Sequence, residues 1–377
     1  MPEIPLIKPD LPPYDELAPM FREIIESGQI TNFGKYVQKF EDAAAAYLGT
    51  QVATVSSCTA GLLMTLQALG VEPGSKVILP SFTFMATAQA VVYAGGTPIF
   101  AEIEDDLTLS PSDLAQLLEA HQDVDVVIGV HAYGLPAHVD EIQQVIDDVN
   151  QRQDRRVKLM YDAAHGFGAS LDGRKVGGFG DAEVFSLSVT KLLVSVEGGM
   201  VSSRNKALID RIKLARNYGI ESSYNATLPG LNGKMSELHA AVGAKNLERI
   251  DDLLQMRAER ARYYIEQLQE RTRCETMSWP EGVTQTFKDF TVFLPEELVA
   301  KRDAITQYLA EHDVASRLYF YPPVHQQGYF ERFADRPLPK TEALSRRVIT
   351  LPFYSTMTKE EMDYVVATLA DAERLVA

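Results

Sequence analysis

The chain has 377 residues, more than one hydrophobic core normally accommodates, so one large and one smaller domain are expected. Its formal net charge of −16 argues against general nucleic-acid binding, although a local group of N–H donors could still bind an anionic ligand. No apolar run is long enough to cross a membrane, and the N-terminus lacks the pattern of a signal peptide. Two cysteines, Cys58 and Cys274, do not make a disulfide framework, so we expect a cytoplasmic protein.

Strands and helices alternate through the first two thirds of the sequence. Helical spacing of apolar residues appears over 14–27 and again over 40–48, where Gly49 is suited to cap the helix end. The predicted strands that follow are 52–55, 75–79, 97–101, 124–130, 157–161 and 182–189, and the predicted helices are one from Leu62 onward, 85–94, 112–120, 140–149 and 205–217. This alternation is typical of an α/β fold with a mainly parallel sheet.

The last third of the sequence mixes short strands with helices and indicates a small α+β domain. Residues 221–230 resemble a loop, and a long helix begins near Ser236 and extends to about Leu268, a span in which the pattern allows a break. The remaining predicted elements are the strands 290–294 and 316–320 and the helices 301–312 and 359–375. We therefore expect a large domain over residues 1–245 and a small C-terminal domain over residues 246–377.

An acid and a lysine stand at the ends of two buried strands. Asp162 ends the apolar run 157–161, and Lys191 follows the run 182–189. These are the two side chains that a pyridoxal phosphate (PLP) site needs at least. The lysine amine can form a Schiff base with the aldehyde, and the carboxylate can pair with the pyridinium nitrogen. Each residue alone is more often an ordinary turn residue. The Asp162–His165 pair could also be half of a metal site, but no further ligands follow at metal-site spacing.

Other residues suited to cofactor binding also follow predicted strands. The small polar turn 57–60 precedes a helix, where free backbone N–H groups could bind a phosphate, although it could equally be an ordinary helix cap. Phe84 could stack on a cofactor ring or belong to the core, and His131 ends the strand 124–130. Ligands of such sheets bind at the carboxyl ends of the strands. Because all of these residues follow predicted strands, their common position favours a functional site there.

Several segments also resemble a known family in the same order. They are SSCTAGL, PSFTFMATA, VHAYGLP, YDAAHGFGA, FSLSVTK, VEGGMV and GLNGKMSELHAAVG. Together they resemble the DegT/DnrJ/StrS sugar aminotransferases, and the likeness covers nearly the whole chain. It implies a fold type I PLP-dependent transferase that acts as a homodimer with shared active sites.

The resemblance also implies roles for individual residues. Lys191 corresponds to the catalytic lysine that binds the cofactor covalently and later transfers a proton. The other implied cofactor contacts are Asp162 with the pyridinium nitrogen, His165 near the ring hydroxyl, Phe84 on the ring face, Thr59 and Ala60 as backbone donors to the phosphate, Ser186 at the phosphate, and Asn232 reaching the phosphate from the neighbouring subunit. Residues resembling those near a sugar nucleotide are Thr31, Asn32, Tyr319, Tyr321 and His325, each of which could instead be an ordinary loop residue.

Two positions depart from the common family pattern. Cys58 stands where the family usually has glycine, and Gly233 stands where many members have tyrosine. Neither change removes a catalytic group. Related dehydratases replace the lysine with histidine, whereas this chain retains Lys191.

These observations predict an enzyme that transfers an amino group from an amino acid, L-glutamate by family expectation, to a nucleotide-linked keto-deoxysugar. The expected acceptors are dTDP- or GDP-linked 4-keto- or 3-keto-6-deoxyhexoses. Two alternatives stay open at this point. One is a PLP-dependent sugar dehydratase, and the other is a non-catalytic regulator with the same fold. No nucleic-acid, membrane or metal partner is expected.

Overall fold

A computed structural model describes residues 3–376 of the chain. Its α-helices are α1 (Tyr14–Ser27), α2 (Lys35–Leu48), α3 (Cys58–Ala68), α4 (Met85–Tyr93), α5 (Pro111–Ala120), α6 (Val139–Gln153), α7 (Lys206–Ala215), α8 (Glu237–Leu247), α9 (Ile250–Arg271), α10 (Arg302–Glu311), α11 (Pro339–Arg347) and α12 (Lys359–Val376). Its strands are β1 (Gln51–Val55), β2 (Lys76–Pro80), β3 (Thr97–Ala101), β4 (Val124–Val130), β5 (Lys158–Asp162), β6 (Ser170–Leu171), β7 (Arg174–Lys175), β8 (Ala182–Ser186), β9 (Gly199–Ser203), β10 (Ile220–Ser222), β11 (Asn225–Ala226), β12 (Glu275–Thr276), β13 (Val283–Thr284), β14 (Phe290–Phe293) and β15 (Val348–Leu351).

A seven-stranded sheet organises the first two thirds of the chain. Its spatial order is β1-β9-β8-β5-β4-β2-β3. The pairs from β8 to β3 are all parallel, whereas β9 runs antiparallel to both of its neighbours. The prediction of an α/β fold with a mainly parallel sheet is therefore confirmed. Because the parallel strands share one direction, the loops after β2, β5 and β8 emerge at the same edge of the sheet.

The central strands are mostly apolar because helices cover both faces of the sheet. In β4, Val127 faces one hydrophobic core, while Val126 and Ile128 face the other. The first core includes side chains of α2, α6 and α8, and the second includes those of α3, α4 and α7. A strand buried on both faces favours a near-continuous apolar run over an alternating pattern, and β4 has such a run from Val126 to Val130.

The long helix predicted from Ser236 is indeed broken. Ser236 caps α8 by accepting a hydrogen bond from the backbone N–H of His239, and α8 ends at Leu247. α9 then begins at Ile250 and continues to Arg271. The division of the chain at residues 245 and 246 stays a prediction.

A smaller antiparallel sheet with the order β12-β14-β15 forms the centre of the C-terminal part. Its core includes side chains of α9, α10 and α12. The N-terminal segment also contacts this part of the chain. Ile4 is buried there and forms a parallel bridge with Val314, and the carbonyl of Leu6 accepts a hydrogen bond from the Phe353 amide.

Two predictions of local structure are wrong. Residues 316–320 do not form a strand, because only Arg317 pairs with Thr350 before the backbone turns, with the Tyr321 amide bonded to the carbonyl of Leu318. β15 pairs with β14 along its whole length, and the Arg317 contact lies on the other edge of β15. Residues 221–230 are not entirely loop, since β10 and β11 pair there as a short hairpin.

Within residues 3–376, no helix combines the length and the apolar composition that crossing a bilayer requires.

Candidate active site

A cavity of about 350 Å³ lies where the carboxyl ends of the parallel strands meet the C-terminal part of the chain. The turns after β1, β2, β5 and β8 supply one wall, and residues next to β14 and β15 supply the other. The predicted site residues that line it are Thr59, Phe84, Asp162, His165, Ser186, Lys191 and Tyr319. Residues up to 260 positions apart are thus gathered at the edge of the sheet, where ligands of α/β proteins bind.

Asp162 ends β5 and is only 5 % exposed. The Thr87 hydroxyl donates a hydrogen bond of 2.7 Å to its Oδ2, and the Ala164 amide donates one of 3.0 Å to Oδ1. Burial raises the pKa of Asp162, while these two donors and the nearby Lys191 oppose the rise. The carboxylate therefore has a fixed orientation, and a cationic partner that enters the cavity would stabilise its charged form.

Lys191 follows β8 in a turn in which its amide is bonded to the carbonyl of Ser188. Burial and the positive charge of Lys288 lower the pKa of Lys191 to about 8, against the opposing effects of Asp289 and Asp162. A lysine with this pKa is about one-tenth unprotonated at neutral pH, whereas an ordinary lysine is less than about 0.1 % unprotonated. Lys191 is therefore suited to act as a nucleophile and as a base.

Hydroxyl groups and the N-terminus of α3 form the end of the cavity next to β1 and β8. Ser57 caps α3, and Cys58 and Thr59 occupy its first turn, where backbone N–H groups have no partner within the helix. Ser186 and Ser188 line the same cavity, with 3.4 Å between their Oγ atoms. Amide and hydroxyl donors at the positive end of a helix are suited to bind a phosphate.

Phe84 presents an aromatic ring to the open side of the cavity. It precedes α4, and the residue is 51 % exposed, which is unusual for phenylalanine. Phe320 lies on the opposite rim, with its ring centroid 6.3 Å from that of Phe84. An exposed ring in this position is available for stacking on a planar ligand.

The sequence did not reveal Lys288 and Asp289, which belong to the cavity wall. They are only 4 % and 6 % exposed, and Lys288 Nζ lies 2.5 Å from Asp289 Oδ1. Asp289 Oδ2 also lies 3.8 Å from His165 Nδ1. Burial and the charges of Lys191 and Lys288 hold the pKa of His165 well below its ordinary value, so this imidazole is neutral. The only sequence feature that could have indicated their role is the presence of two adjacent charged residues directly before the apolar strand β14.

Two predicted cofactor residues lie outside the cavity lining. The amide of Ala60 bonds to the Ser57 hydroxyl at 3.1 Å, so it already has a partner within the turn. Asn232 is exposed and forms a bridge with Asn217.

Of the five residues expected near a sugar nucleotide, only Tyr319 lines the cavity. Thr31 and Asn32 are exposed in the loop before α2, and Tyr321 stacks on Arg302 at 3.9 Å. His325 is buried, with its Nδ1 2.6 Å from the Ser81 hydroxyl and its Nε2 3.4 Å from Glu342. The imidazole of His325 therefore joins its loop to β2 rather than facing the cavity.

His131 also ends its strand at this edge but does not line the cavity. It is 1 % exposed, and its Nε2 lies 2.8 Å from Glu183 while its Nδ1 accepts a hydrogen bond from the Ala137 amide. Its ring stacks on Tyr161. The residue therefore contributes to the core beneath the site.

Comparison with known proteins agrees with this arrangement. The model of the DegT/DnrJ/EryC1/StrS aminotransferase family matches residues 14–370. The chain belongs to this family. It is 31 % identical to GDP-perosamine synthase of Vibrio cholerae, over 90 % of this chain and 91 % of that protein. It is 29 % identical to dTDP-4-amino-4,6-dideoxy-D-glucose transaminase of Shigella dysenteriae, over 97 % of both chains.

Among solved structures, DesI with its TDP-sugar product superposes on this aminotransferase with a TM-score of 0.91. The two chains are 29 % identical, and the match covers 99 % of this chain and 94 % of DesI. The family resemblance noted from the sequence is confirmed, as is the fold of a PLP-dependent sugar aminotransferase.

The side chains of the cavity fit PLP, the cofactor of this family. The aminotransferase offers a buried carboxylate for a protonated ring nitrogen in Asp162 and a lysine with a lowered pKa in Lys191. Free amide and hydroxyl donors at the start of α3 match a phosphate, and the exposed ring of Phe84 matches a planar ring. Each chemical feature of the cofactor therefore has a suitable partner.

Proposed function

We propose that this aminotransferase uses PLP to transfer an amino group from L-glutamate to a nucleotide-linked keto-deoxysugar. The acceptors that we consider first are dTDP- and GDP-linked 4-keto- and 3-keto-6-deoxyhexoses. The relatives named above support this class, since both are named for amino-deoxysugar nucleotides. Two unpaired cysteines agree with the cytoplasm as the compartment.

The observation that carries the proposal is the placement of Lys191 and Asp162 in one cavity, each with the environment that its role requires. When bound, PLP supplies an electron sink that stabilises negative charge on the carbon next to the transferred nitrogen. Asp162, held by Thr87 and the Ala164 amide, keeps the ring nitrogen protonated. Lys191 accepts the proton from that carbon of the donor and returns it on the acceptor side.

Other residues bind and orient the cofactor. The amides of the first turn of α3, together with Ser186, hold the phosphate, and Phe84 covers one face of the ring. His165, neutral because of its burial, lies on the Asp289 side of the cavity and is assigned to the ring hydroxyl.

The proposal includes a homodimer in which Asn232 of one subunit completes the phosphate site of the other. Asn232 is exposed on its own chain and outside its cavity, which leaves it accessible to a second copy. Thr31, Asn32 and Tyr321 are assigned to the nucleotide part of the substrate because they are exposed in loops, and Tyr319 to the part that enters the cavity. His325, buried against Ser81, acts only by holding its loop.

The test combines product analysis with substitution of the lysine. The purified protein is loaded with PLP and incubated with L-glutamate and a panel of keto-sugar nucleotides, and the products are identified by mass spectrometry. We expect an amino group in place of the oxo group and one 2-oxoglutarate per amino sugar. The Lys191→Ala protein, loaded in the same way, should give no multiple turnover.

The same experiment distinguishes the dehydratase. Loss of water without a gain of nitrogen would assign elimination chemistry to the site. Multiple turnovers of amino sugar by the Lys191→Ala protein would refute the role of Lys191.

A further inference from the structure

The buried ammonium of Lys288 has no assigned partner in the reaction described above. It lines the same cavity as Lys191, and only 4 % of the residue is exposed. Hydrogen bonds fix the backbone here. The Lys288 amide donates to the Tyr133 carbonyl at 3.0 Å, and the carbonyl of Thr286, two residues earlier, accepts a 3.0 Å hydrogen bond from Arg257. The cation is therefore held in place before any substrate arrives.

This ammonium retains hydrogen-bonding capacity. A lysine ammonium has three N–H donors, and within residues 3–376 the side chain of Lys288 bonds only to Asp289. A buried charge normally has its donors satisfied, because water cannot reach it. The remaining donors therefore suit an anionic group that enters the cavity.

The substrates of the proposed reaction carry the diphosphate of the sugar nucleotide and, on L-glutamate, an α-carboxylate and a side-chain carboxylate. The diphosphate of a sugar nucleotide belongs to a bulky group that must stay near the opening, while its sugar enters with uncharged hydroxyl and oxo groups. The α-carboxylate of the amino donor is bonded directly to the carbon that Lys191 deprotonates. It must therefore lie inside the cavity that Lys191 and Lys288 share.

We propose that Lys288, held by Asp289, binds the α-carboxylate of the amino donor and thereby makes the site specific for α-amino acids. This inference rests on the proposed function and adds a residue that selects the donor. The recognition is a charge-assisted hydrogen bond to an ammonium that is itself almost fully buried. Asp289 orients the ammonium and lies between it and His165.

The experiment measures the donor half-reaction alone, without a sugar nucleotide. The PLP-loaded protein is titrated with L-glutamate and with 4-aminobutyrate, which lacks the carboxylate next to the amine, and the loss of the visible absorption of bound PLP is followed. For Lys288→Met we expect the half-saturating glutamate concentration to rise about tenfold to a hundredfold. The response to 4-aminobutyrate should change less than about threefold, so the preference for the α-amino acid collapses.

A matched variant separates this effect from misfolding and from charge repulsion. Lys288→Met leaves Asp289 buried without its partner, whereas the double variant Lys288→Met/Asp289→Asn removes both charges at nearly constant volume. We expect the double variant to retain PLP absorption and to show the same loss of glutamate affinity. Lys288→Arg, which keeps the positive charge, should recover part of that affinity.

Three results would overturn the inference. They are an unchanged glutamate titration in Lys288→Met, an equal loss for both amines, and wild-type affinity in the double variant. Failure of the wild-type protein to respond to glutamate and to form amino sugar would reject the proposed function together with this inference. A wild-type response that the Lys288 variants leave unaltered would reject the inference alone.

Discussion

The hydrogen bond from Thr87 to Asp162 offers a direct test of how the cofactor's acid partner is tuned. Thr87→Val keeps the shape of the side chain but removes a 2.7 Å hydrogen bond, leaving the Ala164 amide as the remaining donor to the carboxylate. A hydrogen bond to a charged group contributes about 1.5–3 kcal/mol, and one pKa unit corresponds to about 1.4 kcal/mol. The substitution should therefore destabilise the carboxylate by about 1.5–3 kcal/mol and raise the pKa of Asp162 further.

The sign of the effect on PLP binding follows from the ionised form of Asp162. Only the carboxylate pairs with the protonated ring nitrogen, so PLP affinity falls as the pH is lowered through the pKa of Asp162. Burial already raises this pKa in the wild-type protein, and Thr87 opposes the rise. In Thr87→Val the fall in affinity should therefore begin at a higher pH than in the wild type.

The assay is equilibrium binding of PLP, measured by its visible absorption at a series of pH values. Thr87→Ser serves as the matched control, because it keeps the hydroxyl and should restore the wild-type profile. Thr83→Val is a second control, since Thr83 contacts the Thr87 hydroxyl at 2.8 Å without bonding to Asp162. An unchanged profile in Thr87→Val, or an equal change in Thr87→Ser, would refute the reasoning.

Three further predictions concern the framework of the site. Glu237→Ala should lower the free energy of unfolding by about 3–6 kcal/mol in denaturant titrations, because its carboxylate accepts hydrogen bonds from three backbone amides at the start of α2. A loss of less than about 1 kcal/mol would contradict this. Burial lowers the pKa of His325 below its ordinary 6.5, so the folded protein binds this proton less readily than the unfolded chain and loses stability as the pH falls below 6.5. His325→Gln should reduce that pH dependence, and an equally steep dependence would be contrary to the assignment. Gly129→Ala should destabilise the protein by about 1–3 kcal/mol in thermal unfolding, because its Cβ would overlap the Tyr161 ring, and a neutral effect would show that the strand adjusts.

The strand endings in the sequence were enough to predict which edge of the sheet carries the site. Apolar runs such as 124–130 and 157–161 are local patterns, and their period and length indicate buried strands without knowledge of the rest of the chain. Because parallel strands end at one edge, Asp162 and Lys191 could be predicted to meet there.

Side-chain direction at that edge was not available from the sequence. His131 and Asp162 both end strands of the same sheet, yet one bonds to Glu183 in the core and the other lines the cavity. His325 likewise belongs to a loop near the site, but its imidazole turns inward to Ser81. The direction depends on which partner lies opposite, and that partner comes from a distant part of the chain.

The sequence by itself determined the α/β fold, the order of most strands and helices, the family and the placement of Asp162 and Lys191 at one edge of the sheet, because these depend on periodicity and on motifs of a few residues. Only the tertiary structure placed Lys288 and Asp289, nearly a hundred residues beyond Lys191, in the wall of the same cavity. It also showed that residues 316–320 do not form a strand and that Tyr319 and Phe320 line the cavity. The physical reason is that burial and charge environment arise from contacts between segments far apart in the chain, and those contacts exist only once the sheet and the C-terminal part pack together.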